Sequence, residues 1–81
     1  MKLPRDLNAV QFIKLLRKFN YKETRQSGSH IRLTRKTIES EHHITIPNHD
    51  PLRLGTLNNI MNDVSVHLNI SKKELLRKLF D

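Results

Sequence analysis

The apolar positions of the chain change period twice. Over about residues 8–19, Val10, Ile13 and Leu16 recur at helical spacing, with Phe12 and Phe19 widening the stripe. Lys14, Arg17 and Lys18 fall on or beside the wet face. Asn8 has the chemistry of an N-cap, Gln11 stands three residues on as a capping box requires, and Leu7 is placed to staple to Phe12. Asn20 suits the left-handed residue that ends a helix. The period then drops to two. Tyr21 to Gln26 reads as a polar edge strand, and Ser27-Gly28 as a tight turn. From Ser29 on, Ile31 and Leu33 point one way while His30, Arg32 and Thr34 point the other. Lys36 to Glu41 is a connection. His42 to Pro47 alternates again, with Ile44 and Ile46 inward and His43 and Thr45 outward.

An antiparallel register with Ile31 opposite Ile46 and Leu33 opposite Ile44 gathers all four apolar side chains on one face. It also sets His30 opposite Pro47, near Asn48 and His49. After a loop containing Pro51, the helical period returns. Gly55-Thr56 is the expected start, with Thr56 as N-cap, and Leu57, Ile60, Met61, Val64 and Leu68 form the stripe. Asn69 breaks it. Ser71 and Glu74 form a second capping box and Ile70 and Leu75 a second staple, so a short helix is expected to about Leu79. Met1 to Asp6 is an irregular lead-in containing Pro4. The three strands need a cover on their apolar face, which the helices supply, leaving the face with His30 and Arg32 open.

At 81 residues the chain fits one domain over 1–81. Roughly 60 to 65% of its unfolded surface can be buried, so a site on an open face is expected rather than a deep cavity. There is no cysteine, hence no disulfide and no thiolate ligand. No apolar run is long enough to span a membrane. No secretory signal is read at the N-terminus, so the cytosol is the expected location. Lys and Arg total 15 against 8 acidic residues, a net charge of +7, which implies an anionic partner. With only four aromatic residues and no tryptophan, a platform for stacking single-stranded bases is poorly supplied. His42 and His43 are adjacent on a strand, so they point to opposite faces and do not share an ion readily. No metal and no cofactor is expected.

The candidate chemistry gathers at Ser27-Gly28-Ser29-His30. Gly28 turns the chain without steric cost, and His30 follows at the head of a strand that can fix its ring. Histidine is the natural proton carrier near neutral pH. Arg32 on the open face and Arg25 across the hairpin are candidates to hold phosphate, with Gly28, Ser29 and His49 beside them. Arg35, Lys36 and Arg53 are expected to contribute only to the general positive field.

The predicted order is α-β-β-β-α with an extra short C-terminal helix. That makes an α+β fold, resembling the small double-stranded-RNA-binding domains, which read duplex RNA by shape and backbone contacts. Gly28-Ser29-His30 opening the second strand, Ile44-Thr45-Ile46-Pro47-Asn48-His49 closing the third, and Gly55-Thr56-Leu57 with Ile60 opening the helix together resemble the HicA toxins of type II toxin–antitoxin systems. The resemblance covers most of the chain. It implies a toxin that cleaves messenger RNA and blocks translation, with His30 as the catalytic residue and a HicB-type antitoxin as the protein partner. The family usually has Gly-Phe where this chain has Asn20-Tyr21, and the family pattern does not say what the helical tail from Ser71 to Asp81 contacts. The competing readings are a non-catalytic RNA-binding module of the same fold and a protein-interaction domain whose basic face serves an acidic partner.

Overall fold

In the computed structural model, which describes residues 6–80, the chain runs helix, three strands, helix, helix. The expected lead-in up to residue 5 lies outside the described residues. Helix α1 (Ala9–Leu16) continues into a 3-10 turn (Arg17–Phe19). Its start is closed in both directions. The Asn8 side chain accepts from the Gln11 N–H at 2.8 Å, and the Gln11 side chain accepts from the Asn8 N–H at 3.0 Å. The buried stripe is Ala9, Phe12, Ile13 and Leu16, at the i, i+3, i+4, i+7 spacing of a helix face. Val10 is therefore not in the expected stripe: it is turned off that face and 56% exposed. Asn20 ends the segment with φ +68, the left-handed conformation that asparagine tolerates better than most side chains. It does there what the usual glycine would do.

Strands β1 (Lys22–Ser27), β2 (His30–Lys36) and β3 (Glu41–Pro47) form one antiparallel sheet in the order β1-β2-β3. The β2–β3 register is the expected one, with Ile31 against Ile46, Leu33 against Ile44 and His30 against Pro47. The β1–β2 loop is Gly28-Ser29, one residue later than the expected Ser27-Gly28, because Ser27 already pairs with His30. Gly28, with φ +58, takes the first loop position, where a Cβ would be strained. The register shifts between Glu23 and Arg25, leaving Thr24 as the extra residue of a bulge.

Helices α2 (Leu54–Leu68) and α3 (Lys72–Phe80) complete the fold. Helix α2 starts earlier than expected. Arg53 is its N-cap and gives no side-chain cap, and Thr56 lies inside the first turn. The approach is fixed instead by Leu52, which is buried and donates its N–H to the Leu7 carbonyl at 2.8 Å. Anchoring by a core side chain decides the entry point over local capping preference. Asn69 ends α2 with φ +57. Ser71 Oγ then accepts the Glu74 N–H at 3.0 Å, the expected start of α3.

All three helices lie on the Ile31/Leu33/Ile44/Ile46 face, and one core joins them. Phe12 and Leu16 of α1, Leu33 and Ile46 of the sheet, Leu57 and Met61 of α2, and Leu75 and Leu79 of α3 are fully buried in it. The C-terminal helix therefore belongs to the core, and the Lys18 ammonium ties its last turn to α1 by donating to the Leu79 carbonyl at 3.0 Å. No helix is long and apolar enough to cross a membrane among the described residues.

Candidate functional site

His30 stands where β2 leaves the hairpin. Three attachments fix its backbone. Ser27 faces it across the hairpin, Pro47 faces it from β3, and the preceding carbonyl of Ser29 accepts the Asn48 N–H at 2.6 Å. The segment after β3 is pinned in turn. The His49 N–H donates to the Pro47 carbonyl at 2.8 Å, and the His49 carbonyl accepts from Ala9 at the head of α1 at 3.2 Å. The backbone under His30 is thus tied to β1, β3 and, through His49, to α1. The His30 ring is exposed and has no side-chain hydrogen bond among the described residues. A histidine so held has a rigid base and free ring nitrogens, which is what proton transfer to an incoming substrate requires.

The open face is laid out in rows by the register. The first row is Ser27, His30 and Pro47. The second is Arg25, Arg32 and Thr45. Arg25 was expected across the hairpin from His30. Its direct partner is Arg32, and it lies diagonal to His30, because Ser27 takes the position opposite the histidine. Two arginines face each other across the strands with no acidic partner among the described residues, whose salt bridges are Lys36–Glu41 at 3.6 Å and His42–Asp63 at 3.1 Å. Like charges directly opposite destabilise a sheet. A bound anion would remove that penalty, and the pair lies one row from His30. Gly28 and Ser29 are exposed beside it. His49 is exposed in the loop that follows the strand opposite His30.

The other face carries polar chemistry of a different kind. Arg35 is not a field charge as expected. It turns inward, donating Nε–H to the Phe19 carbonyl at 2.8 Å and lying 3.3 Å from His67 Nε2. A guanidinium only donates, so His67 Nε2 accepts, which is consistent with a neutral ring. Burial, then the neighbouring His42 and Arg35, hold the His67 pKa below its ordinary value, against the opposing pull of Asp63. His42 stacks on His67 with ring centroids 4.3 Å apart. His42 Nδ1 meets the Tyr21 hydroxyl at 2.6 Å, and Nε2 meets Asp63 Oδ1 at 3.1 Å. Tyr21 is fully buried, and burial is the main cause that pushes its pKa up to about 12. The hydroxyl that distinguishes Tyr21 from the usual phenylalanine is therefore satisfied by His42. This cluster joins the end of the sheet to α2 and offers a substrate no access to the phenol. As expected, His42 and His43 diverge: His42 meets Tyr21 and Asp63 on the covered face, and His43 meets Thr34 on the open one. Among the described residues no group of three or more His, Cys, Asp or Glu is arranged to hold a metal ion.

Sequence reading did not find the Tyr21–His42–Asp63 chain. Its one visible sign is that His42 falls at an inward position of an otherwise alternating strand. Nor did it find that Thr34, on the open face, is only 5% exposed and hydrogen-bonded to both neighbouring strands.

A helix, a three-stranded antiparallel sheet covered on one face and two further helices make a small α+β domain of α-β-β-β-α-α order, with an exposed histidine at the head of the central strand. Residues 10–66 match the family described as the HicA toxin of bacterial toxin–antitoxin systems. The match takes in well over half of the chain, which therefore belongs to the HicA toxin family. It runs from α1 through the sheet to the last turn of α2 and stops before α3. No curated protein and no solved structure matches the chain.

Proposed function

We propose that this toxin is a metal-independent ribonuclease that cleaves messenger RNA, with His30 as general acid or base. The observation that carries the reading is an exposed histidine on a fixed backbone, one row from a like-charged arginine pair. Cleavage without a metal needs a group to take the proton from the 2′-hydroxyl. The 2′-oxygen then attacks the adjacent phosphorus, the bond to the 5′-oxygen breaks, and that oxygen leaves with a proton. Charge accumulates on the non-bridging phosphate oxygens, and Arg25 and Arg32 are placed to stabilise it. Ser29 and Gly28 leave the hairpin tip low enough for a backbone to approach. His49 is the nearest candidate to contact the RNA from β3 and to serve as second proton carrier. A HicB-type antitoxin would silence the toxin by covering this face, and an acidic partner surface fits the +7 charge of the chain. Messenger RNA as substrate places the activity in the cytoplasm. The single core reaching from Leu7 to Leu79 supports reading the chain as one domain.

The test is cleavage of a defined RNA by the purified protein in EDTA, beside a His30→Ala variant whose melting temperature matches the parent. The expected result is cutting by the parent alone. If both proteins bind the RNA and neither cuts it, the domain is a binding module and the catalytic assignment is wrong.

A further inference from the structure

The third row of the open face is Lys22, Thr34 and His43. Thr34 Oγ1 lies 2.8 Å from Thr24 Oγ1 on β1 and 2.8 Å from His43 Nδ1 on β3. Thr34 Oγ1 has one proton to give and lone pairs to accept with, and Thr24 Oγ1 also donates toward the Arg32 carbonyl at 3.5 Å, so two directions of bonding satisfy the row. When Thr24 donates to Thr34 and Thr34 to His43 Nδ1, the imidazole carries its proton on Nε2, as a donor aimed off the sheet; when Thr24 donates to the Arg32 carbonyl, Thr34 donates to Thr24, His43 Nδ1–H donates to Thr34 and Nε2 is left to accept. The bulge at Thr24 is what brings the β1 hydroxyl onto this face. The ring is exposed, yet its orientation is set by a nearly buried side chain, an arrangement that solubility alone does not require.

The same residues line a shallow hollow. Thr24, Thr34 and His43 supply its hydrogen-bonding groups, Arg25, Arg32 and Lys36 its cations, and Glu41 its single acid. Glu41 is already paired with Lys36 at 3.6 Å. A polyanion fits this set better than a neutral or cationic ligand. The rows also continue from the proposed catalytic histidine: His30, then the arginine pair, then His43. From the first row to the third is four residues of β2, about 13 Å at about 3.3 Å per residue, a span of several nucleotides.

We infer that an RNA strand cut at His30 runs along the open face across the Arg25–Arg32 row to His43, which Thr34 holds so that its free ring nitrogen hydrogen-bonds a ribose hydroxyl or a backbone phosphate several nucleotides from the cut. The inference rests on the ribonuclease reading and adds a subsite to it. His43 is a binding residue and Thr34 a positioning residue. Neither takes part in bond making or breaking.

The experiment compares two RNAs with the same cleavage site, one ending a single nucleotide to either side and one extended by six on both. The parent is expected to cut the long RNA with a kcat/KM at least tenfold higher. His43→Ala is expected to lower kcat/KM on the long RNA about tenfold, through KM, and to erase most of the length preference. Thr34→Val frees the ring without removing it and should give a smaller loss confined to the long RNA. Should His43→Ala lower the melting temperature appreciably, His43→Leu replaces it. In parallel, binding of both RNAs to His30→Ala and to the His30→Ala/His43→Ala double variant is followed by fluorescence anisotropy. A loss equal on both lengths, or no loss, overturns the track. So does a His43 effect seen only on antitoxin binding, which would give this face to the protein partner. If the parent cuts neither RNA while the double variant still loses affinity for the long one alone, the track stands and the ribonuclease reading falls.

Discussion

The two faces of the sheet use the same residue types to opposite ends. On the covered face, Tyr21, Arg35, His42 and Asp63 reach each other or the backbone, and no buried side-chain nitrogen or oxygen lacks a partner among the described residues. On the open face, His30 has no side-chain partner, and Arg25 stands opposite Arg32. Polar groups taken out of water must be paired, whereas groups left in water are free to be unpaired or even mutually repelling. The inner set therefore reads as structure, while the outer set is the one on which the proposed RNA site rests. Adjacent histidines make the contrast sharpest: His42 is locked between a phenol and a carboxylate, while His43 shows its ring to solvent.

The largest effect that would break the comparison is at His30. His30→Ala should lower RNA cleavage by about 10²–10⁴-fold, the range for losing a general acid or base, while the melting temperature stays put because the ring has no partner to lose. Cleavage assays and thermal melting on one preparation check both halves. Next comes Tyr21→Phe on the other face, which leaves His42 Nδ1 without its hydroxyl. It should destabilise the fold by about 1–2 kcal/mol in urea titration and leave cleavage per folded molecule unchanged.

The same inner cluster makes stability depend on pH at both ends. Burial raises the folded-state pKa of Tyr21 to about 12, so its contribution is full below the ordinary value of about 10 and is lost as pH climbs from there. His67 has the opposite sign. Its folded-state pKa is lowered, so the unfolded chain takes up the proton first, and stability falls as pH drops below about 6.5. Denaturation midpoints measured against pH should show the alkaline loss reduced in Tyr21→Phe and the acid loss reduced in His67→Asn. The smallest effect is the most telling. Arg25→Ala should raise stability by a few tenths of a kcal/mol by removing the opposed charge, and at the same time weaken RNA binding and lower its salt dependence. A variant that is both less stable and unchanged in binding would make the arginine pair an ordinary part of the surface.

Much of this arrangement is legible in the chain. Alternation in β2 and β3 fixes the register, because a shift of one residue would turn Ile31, Leu33, Ile44 and Ile46 to water. That register alone sets His30 against Pro47. The Asn8/Gln11 box, the two left-handed asparagines and the Ser71 cap are local chemistry, acting within four residues, and they appear where the sequence puts them. Departures from expectation occur where distant parts of the chain compete with local preference. Leu52 is drawn into the core and starts α2 before Thr56 can cap it. The loop at Gly28-Ser29 puts Arg25 against Arg32 instead of against His30.

The sequence by itself determined the order of the elements, the apolar face of the sheet, the histidine at the head of its central strand and the excess of positive charge. These depend on period, capping and composition, which act over a few residues. Only the tertiary structure decided that Arg35 and His42 meet Phe19, Tyr21, Asp63 and His67, that Thr34 holds His43, and that α3 closes the core. Those contacts join residues from 9 to 61 positions apart. No local pattern encodes which polar groups will meet there once the strands and helices have packed.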